Sequence, residues 1–152
     1  MLIDQAEFNH LIQKKSFLEY AIVFGHYYGT SHEWVTKKIE AGIDIILEID
    51  WQGAQQIRKK MPESIGIFII PPSWEVLEKR LHLRAQDKQD VIKKRMADAK
   101  AELRHYTEYD YLIMNENFSM ALADLNAILR VRRLRCSIQK KELASLLKIL
   151  LR

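Results

Sequence analysis

A single cysteine, Cys136, leaves this 152-residue chain with no partner for an internal disulfide. There is no cysteine framework and no Cys-x-x-Cys pair. A disulfide scaffold and a thiolate zinc site therefore have no basis, and a reducing, cytoplasmic setting is the expectation. Glycine and proline are scarce, five and three residues, which excludes collagen-like, linker-rich and low-complexity chains. Long apolar runs are also lacking. The longest stretch free of Asp, Glu, Lys and Arg, Tyr20 to His32, contains two glycines and falls well short of the roughly 20 apolar residues that span a bilayer. No membrane partner is expected. The N-terminus carries Asp4 and Glu7 and no basic lead-in, unlike a secretory signal. Gly-Lys occurs nowhere, so these residues hold no GxxxxGK[ST] phosphate loop, and GxGxxG and HExxH are absent too.

What is present is an ordinary globular composition, 48% hydrophobic and 29% charged, with a formal charge of +4. A chain of this size suits one domain with a real core. The charge permits an anionic ligand without demanding nucleic acid. The basic run Lys79, Arg80, Arg84, Lys88, Lys93, Lys94 and Arg95, and the cluster Arg130, Arg132, Arg133 and Arg135, read first as solvated faces. Nucleic acid is not expected as a partner.

Asp4 with Glu7 in capping-box spacing, followed by Phe8, Leu11 and Ile12, predicts a helix over 4–14. FLEYAIV (17–23) suits a strand, and 25–30 reads as a Gly-bounded loop. Ser31 caps a helix to about Ala41, with Gly42 as its stop. IDIILEI (43–49) reads as a strand ending at Asp50. Residues 52–61 read as helix, and the nearly all-apolar 65–70 as a strand buried on both faces. Ser73 caps the next helix. A helix over 91–105, a strand over 111–114 and helices over 118–135 and 138–151 complete the pattern. Strands alternate with helices, which predicts an α/β domain with a parallel sheet flanked by helices.

In such sheets ligands bind beyond the carboxyl ends of the strands. Glu48 and Asp50 stand two residues apart at such an end, an arrangement suited to magnesium or nucleotide handling, though Asp50 serves equally as an N-cap. Glu19 interrupts an apolar strand. It either faces outward or is a buried carboxylate aimed at a hydrogen-bond-donating ligand, since an unpaired buried charge is costly. Tyr27 and Tyr28 are either core aromatics or hydroxyl donors to an anion, and Thr30 adds a hydroxyl. Arginine forks suit phosphate oxygens.

Taken in order, FLEYAIVFGHYYGT (17–30), GIDIILEIDWQGAQQIRKKMP (42–62), IFIIPPSWEVLEKRLHLR (67–84), VIKKRM with its following helix (91–105) and YDYLIMNE (109–116) resemble the guanylate kinase family, in particular its bacterial members. The resemblance implies a P-loop-kinase-like fold with a GMP-binding region at about 1–32, a lid at about 84–95 and a core from the remainder. It implies that Glu19 reads guanine N1–H and the 2-amine, which adenine lacks; such sites can discriminate by about 10⁴-fold. It implies a base contact from Thr30, a GMP-phosphate contact from Tyr28 and a guanine-side role for Asp50. Glu48, where the family usually has Asp, would lie toward Mg²⁺ through its water. Arg84 and Arg95 match the catalytic lid arginines. Asn115 matches a residue near the ATP adenine, although Glu116 follows where the family usually has Asp.

The implied reaction is phosphoryl transfer from ATP to GMP, with Mg²⁺ on the donor phosphates. Family members begin with a strand, a P-loop and an Arg-containing segment, and none of these has a counterpart here. The expectations are therefore weak or absent catalysis by the 152 residues alone, and lowered stability or self-association over the uncovered sheet. A non-catalytic guanylate-kinase-like binding module or inactive fragment is the alternative reading.

Overall fold

The computed structural model describes residues 3–23, 25–84 and 89–152. The chain divides into two compact units, Met1–Gly66 with Ala97–Asp110, and Ile67–Met96 with Tyr111–Arg152.

In the first unit, α1 (Gln5–Gln13) starts at Asp4, whose side chain accepts from the Glu7 N–H. Next comes β1 (Phe17–Val23). The expected loop at 25–30 is instead a strand, β2 (His26–Ser31), paired antiparallel with β1. HYYGTS is rich in residues that favour strands, and Gly25, at φ +82°, supplies the turn. The ladder contains a bulge. Phe17 pairs with Ser31 and Glu19 with Thr30, so Leu18 has no opposite number. α2 (His32–Glu40) is capped by Ser31, and Gly42 follows it at φ +77°. α3 (Trp51–Lys60) is capped by Asp50. Leu18, Val35 and Ile57 form the core cluster, with Ile45, Leu47, Ile49 and Met61 packed on it.

The strand expected over 43–49 is not one of the paired strands. Its side chains still alternate, with Ile45, Leu47 and Ile49 inward and Ile46 and Glu48 exposed. A strand is defined by its hydrogen-bonded neighbour as well as its pattern. Among the described residues, none pairs with this segment.

In the second unit, β3 (Ile67–Ile70) pairs in parallel with β4 (Tyr111–Met114), Ile67 opposite Tyr111 and Ile70 opposite Met114. This is the parallel pairing the alternation of elements predicts. β3 is not buried on both faces, since Ile69 is 56% exposed. α4 (Trp74–Arg84) starts at Ser73, whose hydroxyl accepts from the Val76 N–H. α5 (Gln89–Leu103) continues into the first unit. α6 (Phe118–Arg133) is capped by Asn117, which accepts from Ser119 and Met120 N–H. The single expected helix over 138–151 is two short ones, α7 (Cys136–Glu142) and α8 (Ala144–Leu150), divided at Leu143. Their leucines stay exposed. With no packed apolar face to hold one long axis, a break between them is cheap. No helix among the described residues is long and apolar enough to cross a membrane.

Candidate functional site

The hairpin sorts its side chains by face. Cross-strand pairs share a face, and so do residues two apart. Glu19, Ala21, Tyr28 and Thr30 therefore stand on one side, and Tyr20, Ile22 and Tyr27 on the other. The bulge at Leu18 changes the alternation. Phe17 joins Tyr20, Tyr27 and Phe8 in an aromatic group, with ring centroids 4.7 Å apart for Phe8–Phe17 and 5.2 Å for Phe8–Tyr27. Leu18 and Glu19, although consecutive, are both buried. The Tyr27 hydroxyl accepts from Gln5 Nε2 at 2.8 Å, so Tyr27 is a packed aromatic with a satisfied polar end. Tyr28, by contrast, is 54% exposed on the Glu19 face.

Glu19 is 3% exposed, which rules out the outward-facing reading of this residue. Its Oε1 accepts a short hydrogen bond from the Thr30 hydroxyl. Among the described residues, no other donor reaches the carboxylate. Its Oε2 lies against Gly53 in the first turn of α3, where a Cβ would sit 2.9 Å from that oxygen. A buried carboxylate with one neutral donor is under-satisfied, since an ionised carboxylate can accept about four hydrogen bonds.

Asp50 performs the capping role its position allows. Its Oδ1 accepts from Gly53 N–H at 3.0 Å and its Oδ2 from Gln52 Nε2 at 3.1 Å. Asp50 and Glu19 thus meet the same turn of α3 from opposite partners, cap and carboxylate. Glu48 is exposed. Among the described residues, no three His, Cys, Asp or Glu side chains are grouped to hold a metal ion.

The segment 97–110 of this unit carries further carboxylates. Burial, and then the charges of Asp50 and Asp98, push the Glu102 carboxyl above its ordinary range. Burial likewise raises the Tyr109 hydroxyl. Glu108 moves the other way, held low by hydrogen bonds from His105 and Gln55; these are 2.6 Å from His105 Nδ1 and 2.9 Å from Gln55 Nε2. The His105 ring stacks on Trp51 with centroids 4.0 Å apart and planes 4° apart. Neither this stack nor the contact of Gly53 with Glu19 follows from spacing along the chain, because each joins segments dozens of residues apart.

The second unit carries the other candidates. Arg84 ends α4, and its side chain lies outside the described residues, as do residues 85–88 of the lid expected at about 84–95; the rest of that stretch, from Gln89, is the start of α5. Arg95 is half-buried on α5. Asn115 follows β4. Its N–H donates to Ile70 O at 2.8 Å, and its carbonyl accepts from Arg80 Nη1 at 2.8 Å. Arg80, which reads as one charge of a solvated run, instead fixes the backbone beyond β4 through Asn115 and Glu116. The structure gathers Glu19, Thr30 and Asp50 about the first turn of α3 with Tyr28 on the same hairpin face, and places Arg84, Arg95 and Asn115 in the other unit.

Comparison with known proteins gives this chain its relatives. The family model described as guanylate kinase matches residues 1–132. The chain is 56% identical to the guanylate kinase of Vibrio parahaemolyticus over 133 residues, covering 88% of this chain and 64% of the relative. It is 52% identical to those of Vibrio cholerae and Escherichia coli K12 over 149 residues, 98% of this chain and 72% of each relative. The crystal structure of guanylate kinase from Anaplasma phagocytophilum superposes with a TM-score of 0.74 at 32% identity, covering 89% of this chain and 65% of that one. The chain therefore spans 64% to 72% of these relatives' lengths. By sequence and by fold, it belongs to the guanylate kinase family.

Proposed function

We propose that this chain binds GMP on the hairpin face and serves the ATP-dependent phosphorylation of GMP to GDP. The observation that carries this reading is Glu19. A carboxylate 3% exposed, with one oxygen held by Thr30 and no second donor among the described residues, suits a ligand edge that presents two N–H donors side by side. Guanine has that edge in N1–H and its 2-amine. Adenine has an acceptor at N1 and no 2-amine, and would leave the second carboxylate oxygen without a donor. Thr30, Tyr28 and Asp50 take the supporting roles, with the exposed Tyr28 hydroxyl suited to the phosphate. Arg84 and Arg95 are the guanidinium groups for the transferring phosphoryl group, and Asn115 belongs to the ATP side.

Mg²⁺ fits this chain only as an ion carried on the phosphates of ATP. Glu48 is a single exposed carboxylate, and no three-ligand group exists among the described residues. Bound there, the ion would neutralise phosphate charge. The chain's own part is to orient GMP, exclude water and present arginines, in chemistry that rests on positioning and charge stabilisation.

Calorimetric titration tests the reading. Each hydrogen bond to a charged acceptor contributes about 1.5–3 kcal/mol, so Glu19→Ala should weaken GMP binding at least about 100-fold. Equal affinity of wild type and variant for GMP would overturn it. The 152 residues contain no Gly-Lys phosphate loop, and slow GDP formation by this chain on its own is therefore expected. Turnover of ordinary kinase size, about 1–100 per second, in a coupled ADP-release assay would contradict that.

A further inference from the structure

The guanine-reading carboxylate does not hold itself in place. Leu18 and Glu19 sit at a bulge, where the β1–β2 ladder is interrupted and backbone carbonyls lose their regular partners. One face of α3 supplies what the ladder lacks. Lys60 Nζ donates to Phe17 O at 3.0 Å and Leu18 O at 2.8 Å, spanning the bulge. Gln56 then imitates a neighbouring strand. Its Nε2 donates to Tyr20 O at 2.7 Å and its Oε1 accepts from Tyr20 N–H at 3.2 Å. Ile57 packs on Leu18 between these polar contacts. Gly53 completes the row, with the Glu19 carboxylate against its bare Cα. Residues 53, 56, 57 and 60 are spaced three, four and seven apart, which places them on one helical face.

We propose that Gly53, Gln56 and Lys60 are specificity-positioning residues: without touching the base, this face of α3 sets the β1 bulge and so aims the Glu19 carboxylate at the 2-amine of guanine. The proposal rests on the reading of Glu19 as the guanine acceptor. Gly53 makes the point most sharply. In a helix that needed only stability, Ala would serve better than Gly. Here a methyl group would meet Glu19 Oε2 at 2.9 Å and Ile49 Cβ at 3.2 Å, and the carboxylate would have to move. Lys60 acts through the backbone, since loss of its ammonium leaves two strand carbonyls without their donor.

The test is the ratio of GMP to IMP affinity of the full chain by calorimetry. IMP keeps N1–H and lacks the 2-amine, so the ratio reads the aim of the carboxylate, whereas a general loss of structure weakens both ligands alike. Wild type should prefer GMP by about tenfold or more, and Glu19→Gln should bring the ratio near one. Lys60→Met should lower the ratio about fivefold or more, and Lys60→Arg should restore it. Gly53→Ala should lower it as well. A wild-type ratio in Lys60→Met and Gly53→Ala, or an equal loss of GMP and IMP binding in both, would overturn the proposal while leaving Glu19's role intact. If Glu19→Gln leaves the ratio unchanged, the reading of Glu19 fails first and this inference fails with it.

Discussion

The two units use their leucines in opposite ways. In the first, Leu18 is 1% exposed beneath a hairpin and beside the buried Glu19. In the second, Leu146, Leu147, Leu150 and Leu151 of the last helix region are all exposed, Leu150 by 70%. The first unit combines a small apolar core with one deliberate polar exception. The second has only Ile92 and Ile113 as buried hydrophobics among its described residues. A buried charge is tolerated only where its surroundings are tightly determined, and the better-packed unit is the one that holds the buried carboxylate.

Truncating one leucine from each unit puts this contrast to its strongest test. Leu18→Ala should cost about 2–5 kcal/mol, because it opens a cavity among Val35 and Ile57. Leu150→Ala should stay within about 0.5 kcal/mol. Urea denaturation of both variants measures the difference, and equal effects would erase the distinction between the units.

Thr30→Val comes next and sharpens the same comparison at the polar exception. It keeps shape and removes the one donor to Glu19 among the described residues. Leaving a buried acceptor unmatched costs about 1–3 kcal/mol, and Thr30→Ser, which keeps the hydroxyl, should recover most of it. A neutral Thr30→Val would mean that solvent already satisfies Glu19.

Much of this was legible along the chain. Asp4, Ser31, Asp50 and Ser73 announce helix starts through local bonds within three residues, and such bonds survive any tertiary arrangement. Gly42 marks a helix stop at positive φ. The acid in an apolar strand was visible as an anomaly needing a partner. What could not be read was pairing. HYYGTS became a strand because β1 lies beside it, and IDIILEI has the pattern of a strand without a paired neighbour. The bulge at Leu18 was equally hidden, although it decides that Leu18 and Glu19 are buried together. The side chains that bond to its backbone, Lys60 and Gln56, lie some forty residues distant. The same holds for Gly53, whose missing side chain matters only once Glu19 is packed against it.

The smallest effect separates two acids within the first unit, where the segment 97–110 holds carboxylates shifted in opposite directions. His105 and then Gln55 hold Glu108 below its ordinary value of 4.5. A depressed carboxylate contributes stability that is complete above the unfolded value and is lost as pH falls through the folded one. Burial and then Asp50 and Asp98 raise Glu102 above 4.5. A raised carboxylate contributes below the unfolded value and loses that contribution as pH rises through the folded one. Wild type should therefore lose stability on both sides of this window, for different reasons. Glu108→Gln should flatten the acid limb alone. Glu102→Gln keeps a neutral side chain in the same space, and should raise the melting temperature at neutral pH relative to wild type while leaving the acid limb in place. Melting curves from about pH 3 to about pH 7 check both. A Glu102→Gln variant that melts lower than wild type at neutral pH would show that the ionised carboxylate is a structural partner.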